Sequence, residues 1–113
     1  MAFQVIHTAP DLSEGERRRA HQSGPWAVSS RHAPDELMRR AGYVDVAVVD
    51  QTAQFRTTAA AWIGEWDAHR DELVALYGDA DFDARQQDRN VELQAIDDGL
   101  LKRSLAFGRR PAT

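Results

Sequence analysis

The chain has 113 residues, 42% of them hydrophobic and 28% charged, the balance of one globular unit with a single core. Its net charge of −4 argues against a nucleic-acid binder that works by bulk attraction, and no apolar run approaches the roughly 18 residues of a membrane span. The absence of cysteine excludes disulfides, thiolate metal sites and cysteine nucleophiles and fits a cytoplasmic protein, and the opening MAFQVIHTAP has neither the basic start nor the apolar centre of a signal peptide.

Residues 2–8, AFQVIHT, form a compact run of strand-forming types that Pro10 ends. Alternation puts Phe3, Val5 and His7 on one face and Gln4, Ile6 and Thr8 on the other. Ser13 and Glu16 have capping-box spacing and predict a polar helix over about 13–22, anchored by Leu12 and Ala20. A loop around Trp26 and Val28 follows. A second helix starts at Pro34, with Asp35 and Glu36 at its positive end and Arg39 and Arg40 at its negative end. Leu37, Met38 and Ala41 supply its buried side, and Gly42 stops it.

Residues 43–50, YVDVAVVD, give the strongest strand signal. Val44, Val46 and Val48 are expected on one face and Asp45, Ala47 and Val49 on the other, with both faces covered past the first turn. A long helix is predicted over 53–77, with Thr52 as its N-cap and Gly78 as its stop, and a further one over 80–98 with sparse apolar positions: Phe82, Val91, Leu93 and Ile96. Residues 100–108 alternate Leu101, Arg103, Leu105 and Phe107 against Leu100, Lys102, Ser104 and Ala106, which predicts a last strand.

Charge is unevenly spread. Residues 65–98 hold eleven acidic residues against Arg70, Arg85 and Arg89, the pattern of a solvated helical face, and residues 99–113 hold four basic residues and no acid. Thirteen of the 14 basic residues are arginine, as GC-rich bacterial coding gives.

Glycine-rich phosphate loops are excluded, because no two of the seven glycines are closer than nine residues apart. Glu65 and His69 lie one helical turn apart, with Asp67, Asp71 and Glu72 nearby, but no H-E-x-x-H is present; the pattern reads as an ion-paired face, and no metal is expected. Ser29, Ser30 and His32 are close in sequence without a nucleophile motif around them. His7 stands at the C-terminal end of a strand, where it either binds substrate or acts as a base, or simply closes the strand with a hydrogen bond. Trp62 and Trp66, with Phe55 and Ile63 near them, are either helix packing or an aromatic wall of a small-molecule pocket. The substrate-binding candidates are His7, Phe55, Trp62 and Trp66.

The stretch HAPDELMRRAGYVDVAVVD carries Leu37, Ala41, Gly42, Tyr43, Val46 and Val48 in the order of a Leu-x-x-x-Ala-Gly-Phe/Tyr-x-x-Val-x-Val turn. It resembles the late part of class I S-adenosylmethionine-dependent methyltransferases. AFQVIHTAP is similar to the fifth strand of that fold, and SLAFGRRPA to its last, antiparallel strand. The resemblance implies an α/β fold: a small mixed sheet of about three strands with flanking helices, equivalent to the C-terminal part of a Rossmann-like methyltransferase. Residues 101–108 would insert antiparallel between 2–8 and 44–50, bringing the two chain termini together, and 53–98 would form a helical cap over the substrate within one domain spanning 1–113. It covers nearly all of this chain but only the later half of such an enzyme. The glycine-rich cofactor loop and the ribose-binding acid belong to the other half, so no cofactor-binding residue is assigned here. S-adenosylmethionine is implied by the resemblance, but this chain alone is expected to bind it weakly or not at all. The resulting expectation is a truncated or split methyltransferase-like protein, not catalytic alone. It would act as a homodimer or with a partner chain that supplies the missing half. The alternative is a non-enzymatic protein that binds a small ligand or works as a dimeric interaction module. Neither a nucleic acid nor a membrane is expected as partner.

Overall fold

A computed structural model of the chain describes residues 1–24 and 32–112. The loop around Trp26 and Val28, with Ser29 and Ser30, lies outside the described residues. The elements run β1 (Ala2–Thr8), α1 (Glu14–Ser23), α2 (Pro34–Arg40), β2 (Val44–Asp50), α3 (Thr52–Ala68), α4 (Arg70–Tyr77), α5 (Asp79–Asp97) and β3 (Leu101–Arg109). The sheet order is β1-β3-β2, with β3 antiparallel to both neighbours. β1 and β2 therefore point the same way without touching, as the resemblance implied. The ends of the chain also meet: the Met1 amine donates to the Gly108 carbonyl at 2.8 Å, and the Gly108 N–H donates to the Met1 carbonyl at 3.0 Å.

Local chemistry sets most element ends. The Ser13 hydroxyl accepts from the Glu16 N–H, and the Glu16 carboxylate accepts from the Ser13 N–H, which completes the capping box of α1. Pro34 occupies the first turn of α2, and Gly42 follows that helix with φ 93°, a conformation L side chains rarely adopt. At α3 the cap differs from expectation. Thr52 is already helical, and Asp50 at the end of β2 accepts both the Thr52 N–H at 2.8 Å and its hydroxyl at 2.5 Å. These bonds hold the Asp50 carboxyl below its ordinary value.

Further expectations fail. The helix predicted over 53–77 breaks at His69, which is both the end of α3 and the start of α4. β2 is not covered on both faces. Ala47 is exposed, and Val48 and Val49 are 39% and 48% exposed. A bulge between Val44 and Ala47, with Asp45 at φ 52°, also breaks the expected alternation. Val44 stands opposite Arg109 while Val48 stands opposite Ala106, so these two valines are out of phase. In α2 only Met38 of the three expected apolar residues is buried; Leu37 and Ala41 are exposed.

The core lies on one face of the sheet. Ala20 of α1, Phe55 of α3, and Ala95 and Ile96 of α5 pack with Leu100 and Leu101, with Ile6, Leu12 and Ala59 around them. Leu101 is fully buried, a side chain worth about 1.5–3 kcal/mol of burial. Met38 of α2 sits on the other face, beside Gly108 and Val46. Beyond the sheet, α3, α4 and α5 form an arm with its own aromatic centre. Trp66 stacks on Tyr77 and Phe82, at 5.7 and 5.6 Å between ring centroids, and Arg89 lies 3.9 Å from the Trp66 centroid. The arm makes the molecule long. Its extents are 57 × 31 × 21 Å and its radius of gyration is 16.9 Å, against about 13 Å for a compact chain of this length.

Candidate functional site

β1 runs out at Thr8, and Pro10 and Asp11 turn the chain back toward α1, Asp11 with φ 60°. This turn, the start of α2 and the face of the sheet that α2 covers enclose a cavity of about 440 Å³. The sheet residues His7, Ser104 and Val48 form its floor, and Arg17, His32 and Asp11 are also among the residues that line it. His32 pairs with Glu36 at 3.3 Å, and Arg39 donates to Asp35 at 2.7 Å, which keeps the Asp35 carboxyl below its ordinary value. Arg17 makes no ion pair among the described residues.

His7 and Ser104 meet on the floor. In the antiparallel ladder Val5 stands opposite Ser104 and His7 opposite Lys102. His7 and Ser104 are thus diagonal neighbours on one face, close enough for an imidazole to reach. Nδ1 of His7 lies 2.9 Å from the Thr8 carbonyl oxygen and Nε2 lies 2.8 Å from Ser104 Oγ. A carbonyl can only accept, so Nδ1 carries the proton in the neutral ring and Nε2 is left as an acceptor. The Ser104 hydroxyl then donates to Nε2. Ser104 is 4% exposed.

The other three candidates lie elsewhere. Phe55 is buried in the core, with the Arg103 guanidinium 5.6 Å from its ring centroid. Trp66 is buried at the centre of the arm. Trp62 is 56% exposed and lines a second cavity of about 250 Å³ with Ala59, Arg89 and Glu92. Glu92 is half-buried, and this desolvation raises its carboxyl above the ordinary value although Arg89 pulls the other way. The structure thus separates His7 from the tryptophans and does not bring the four residues into one site. Ser104, Arg17, Arg89 and Glu92 were not singled out from the sequence. Ser104 carried one signal: it is the only hydroxyl in the alternating pattern of the last strand.

Glu65 and Glu72 both pair with His69, at 3.6 and 3.8 Å. Among the described residues no group of three or more His, Asp or Glu side chains is arranged to hold a metal ion. Nor do the described residues make a nucleotide cradle. The passage from β1 into α1 is Ala9–Pro10–Asp11–Leu12–Ser13, without glycine, and the glycines with positive φ, Gly42, Gly78 and Gly99, each stand singly beside a helix end. Among the described residues no helix is long and apolar enough to cross a membrane.

This three-stranded arrangement, with an antiparallel last strand between two others, is found in solved structures. Phosphoethanolamine N-methyltransferase 2 of Haemonchus contortus, in complex with phosphomonomethylethanolamine and S-adenosylhomocysteine, superposes with a TM-score of 0.80 over 98% of this chain at 15% identity. The same enzyme in complex with S-adenosyl-L-methionine gives 0.78 over 98% of this chain, also at 15% identity. The fold is that of part of a methyltransferase. The chain spans only 26% of the length of those proteins. No protein-family model matches the sequence, and no curated protein matches it.

Proposed function

We propose that this chain is the substrate-side portion of an S-adenosylmethionine-dependent methyltransferase acting on a small molecule, and that it is not catalytic alone. Nearly the whole chain superposes on a quarter of a methyltransferase, and this observation carries the reading. On this reading residues 1–113 act as one unit and 53–98 form the substrate cap, while His7, apart from the cap's tryptophans at the end of β1, offers a separate small-molecule contact at its own cavity. Phe55 and Trp66 hold the cap in place, and Trp62 offers the cap's exposed ring. A partner chain carrying the glycine-rich cofactor loop completes the enzyme, in a cytoplasmic setting that the cysteine-free composition fits.

The outer edge of β1 is the place for that completion. Only β3 pairs with β1 among the described residues, so its other edge offers unpaired amides and carbonyls beside Phe3, Val5 and Ile6, with no lysine or proline to blunt it. Calorimetric titration of the chain with S-adenosylmethionine tests the reading. It expects no binding by the chain alone; micromolar binding at one site per chain would overturn it.

A second reading, a non-enzymatic dimer that binds a small ligand, draws on the same edge and on the elongated shape. A two-fold axis beside β1 would let the edge satisfy itself. Light scattering at micromolar concentration separates the two. A stable dimer that Val5→Lys dissociates favours the second, and a monomer that associates only with a cofactor-binding portion favours the first.

A further inference from the structure

The floor of the larger cavity has a property that methyl transfer does not require. The Ser104 hydroxyl points its proton at His7 Nε2 over 2.8 Å, and the Thr8 carbonyl, 2.9 Å from Nδ1, fixes both the tautomer and the orientation of the ring. A hydroxyl, a base within hydrogen-bond reach and a third group that orients the base are the parts of an activated nucleophile. They open onto about 440 Å³, room for a small ester. Arg17, which lines the same cavity and makes no ion pair among the described residues, is a cation available to the negative charge that develops on an attacked carbonyl.

We infer that Ser104 is a nucleophilic serine with His7 as its general base, and that the cavity accepts small carboxylic esters. Ser104 Oγ bonds to the acyl carbon as its proton passes to His7 Nε2. The ester C–O bond breaks, the alcohol leaves with that proton, and Ser104 carries the acyl group. Water then attacks the acyl carbon, giving a proton to His7. The acid leaves as Ser104 Oγ recovers that proton, so one ester and one water yield one acid and one alcohol. The orienting group is a backbone carbonyl, not a carboxylate, so the base is held in place without a buried charge.

The chain as it stands suffices for the test, whatever the outcome for methyl transfer. The full chain is incubated at pH 7.5 with a fluorophosphonate probe, and the adduct is located by peptide mass spectrometry. The expected result is a single adduct on Ser104, formed at least about tenfold more slowly in His7→Gln, since a positioned base contributes on the order of a hundredfold or more. An unlabelled Ser104 in the native chain overturns the inference, as does equal labelling in a folded His7→Gln variant. A second measurement does not depend on the probe. The chain has no cysteine, so the Ser104→Cys variant carries a single thiol. Iodoacetamide should alkylate it at neutral pH roughly tenfold faster than a free cysteine, because a neighbouring imidazole lowers a thiol's pKa. A rate no faster than that of the free thiol overturns the inference.

Discussion

The terminal methyl of Met38 packs where a side chain on Gly108 would begin: a Cβ built there would lie 3.2 Å from Met38 Cε, 3.2 Å from Val46 Cγ2 and 3.3 Å from the Val44 carbonyl oxygen. Glycine at this point lets α2 close onto the sheet. Met38 can move aside, but the Val44 carbonyl belongs to the bulged backbone and cannot move as easily. Gly108→Ala should therefore cost about 1–3 kcal/mol, the usual penalty of overpacking. The shift of the urea midpoint at unchanged slope measures it, and an unchanged midpoint would show that α2 is free to move off.

Trp66 and Trp62 stand one helical turn apart and should respond differently. Trp66 is 8% exposed and stacked on two rings, so Trp66→Ala should cost roughly 3–5 kcal/mol. Trp62 is mostly in solvent, and Trp62→Ala should cost under about 1 kcal/mol. Chemical denaturation of both variants checks this. If a small ligand occupies the cavity beside Trp62, Trp62→Ala should weaken its binding while leaving the melting temperature nearly unchanged.

Acid should unfold the chain through a few identified carboxylates. Asp98 is held below its ordinary 3.8, first by the Arg19 guanidinium that ties α1 to the end of α5 and then by Gln94. Asp50, at the cap of α3, and Asp35 are lowered from the same 3.8. A carboxyl with a lowered folded-state pKa contributes fully above its unfolded pKa, and that contribution is lost as pH falls through the folded value. Stability should hold above about pH 5 and decline below about pH 4. Glu92 runs the opposite way. Its pKa is raised by burial from 4.5, so its ionisation costs stability as pH rises past 4.5. Glu92→Gln should raise the melting temperature at pH 7, and the gain should vanish near pH 4. A gain independent of pH would refute this assignment.

Arg103 enters the core side of β3 over Phe55, and its Nε is buried without a hydrogen-bond partner. A buried polar group left unpaired costs on the order of 1–3 kcal/mol. Arg103→Met keeps the length of the side chain and the packing on Phe55 while removing the unpaired group. It should be neutral or stabilising in thermal melts, whereas Arg103→Ala should destabilise by leaving a space over the ring.

Much of the fold could be read from residues that act locally. Ser13 and Glu16 cap a helix whatever the rest of the chain does, Gly42 stops one, and the uncharged run 2–8 has no good alternative to a strand. The failures occur where distant residues decide. The bulge at Asp45 answers to Arg109, which pairs with the Asp45 carboxylate across the sheet, and nothing in VDVAVVD announces it. The break at His69 lets α4 fold back on α5, so that Tyr77 and Phe82 both reach Trp66; helical periodicity continues unchanged through that point. The contact between His7 and Ser104 joins residues 97 positions apart. Strand alternation puts each on a face, but only the register of β1 on β3 puts the two faces together.

That register has a consequence for how the protein is made. Among the described residues every strand pairing passes through β3, whose partners lie far back in the chain: Phe107 meets Ala2, and Arg109 meets Val44. A ribosome releases β1 and β2 long before residues 101–109, so neither strand has its β3 partner while some 50 residues of helix are still being synthesised. The helical arm, whose contacts are mostly close in sequence, can form during that wait; the sheet cannot. The arm is thus able to fold first and hold Phe55 and Ile96 ready, and β3 then closes the sheet between β1 and β2.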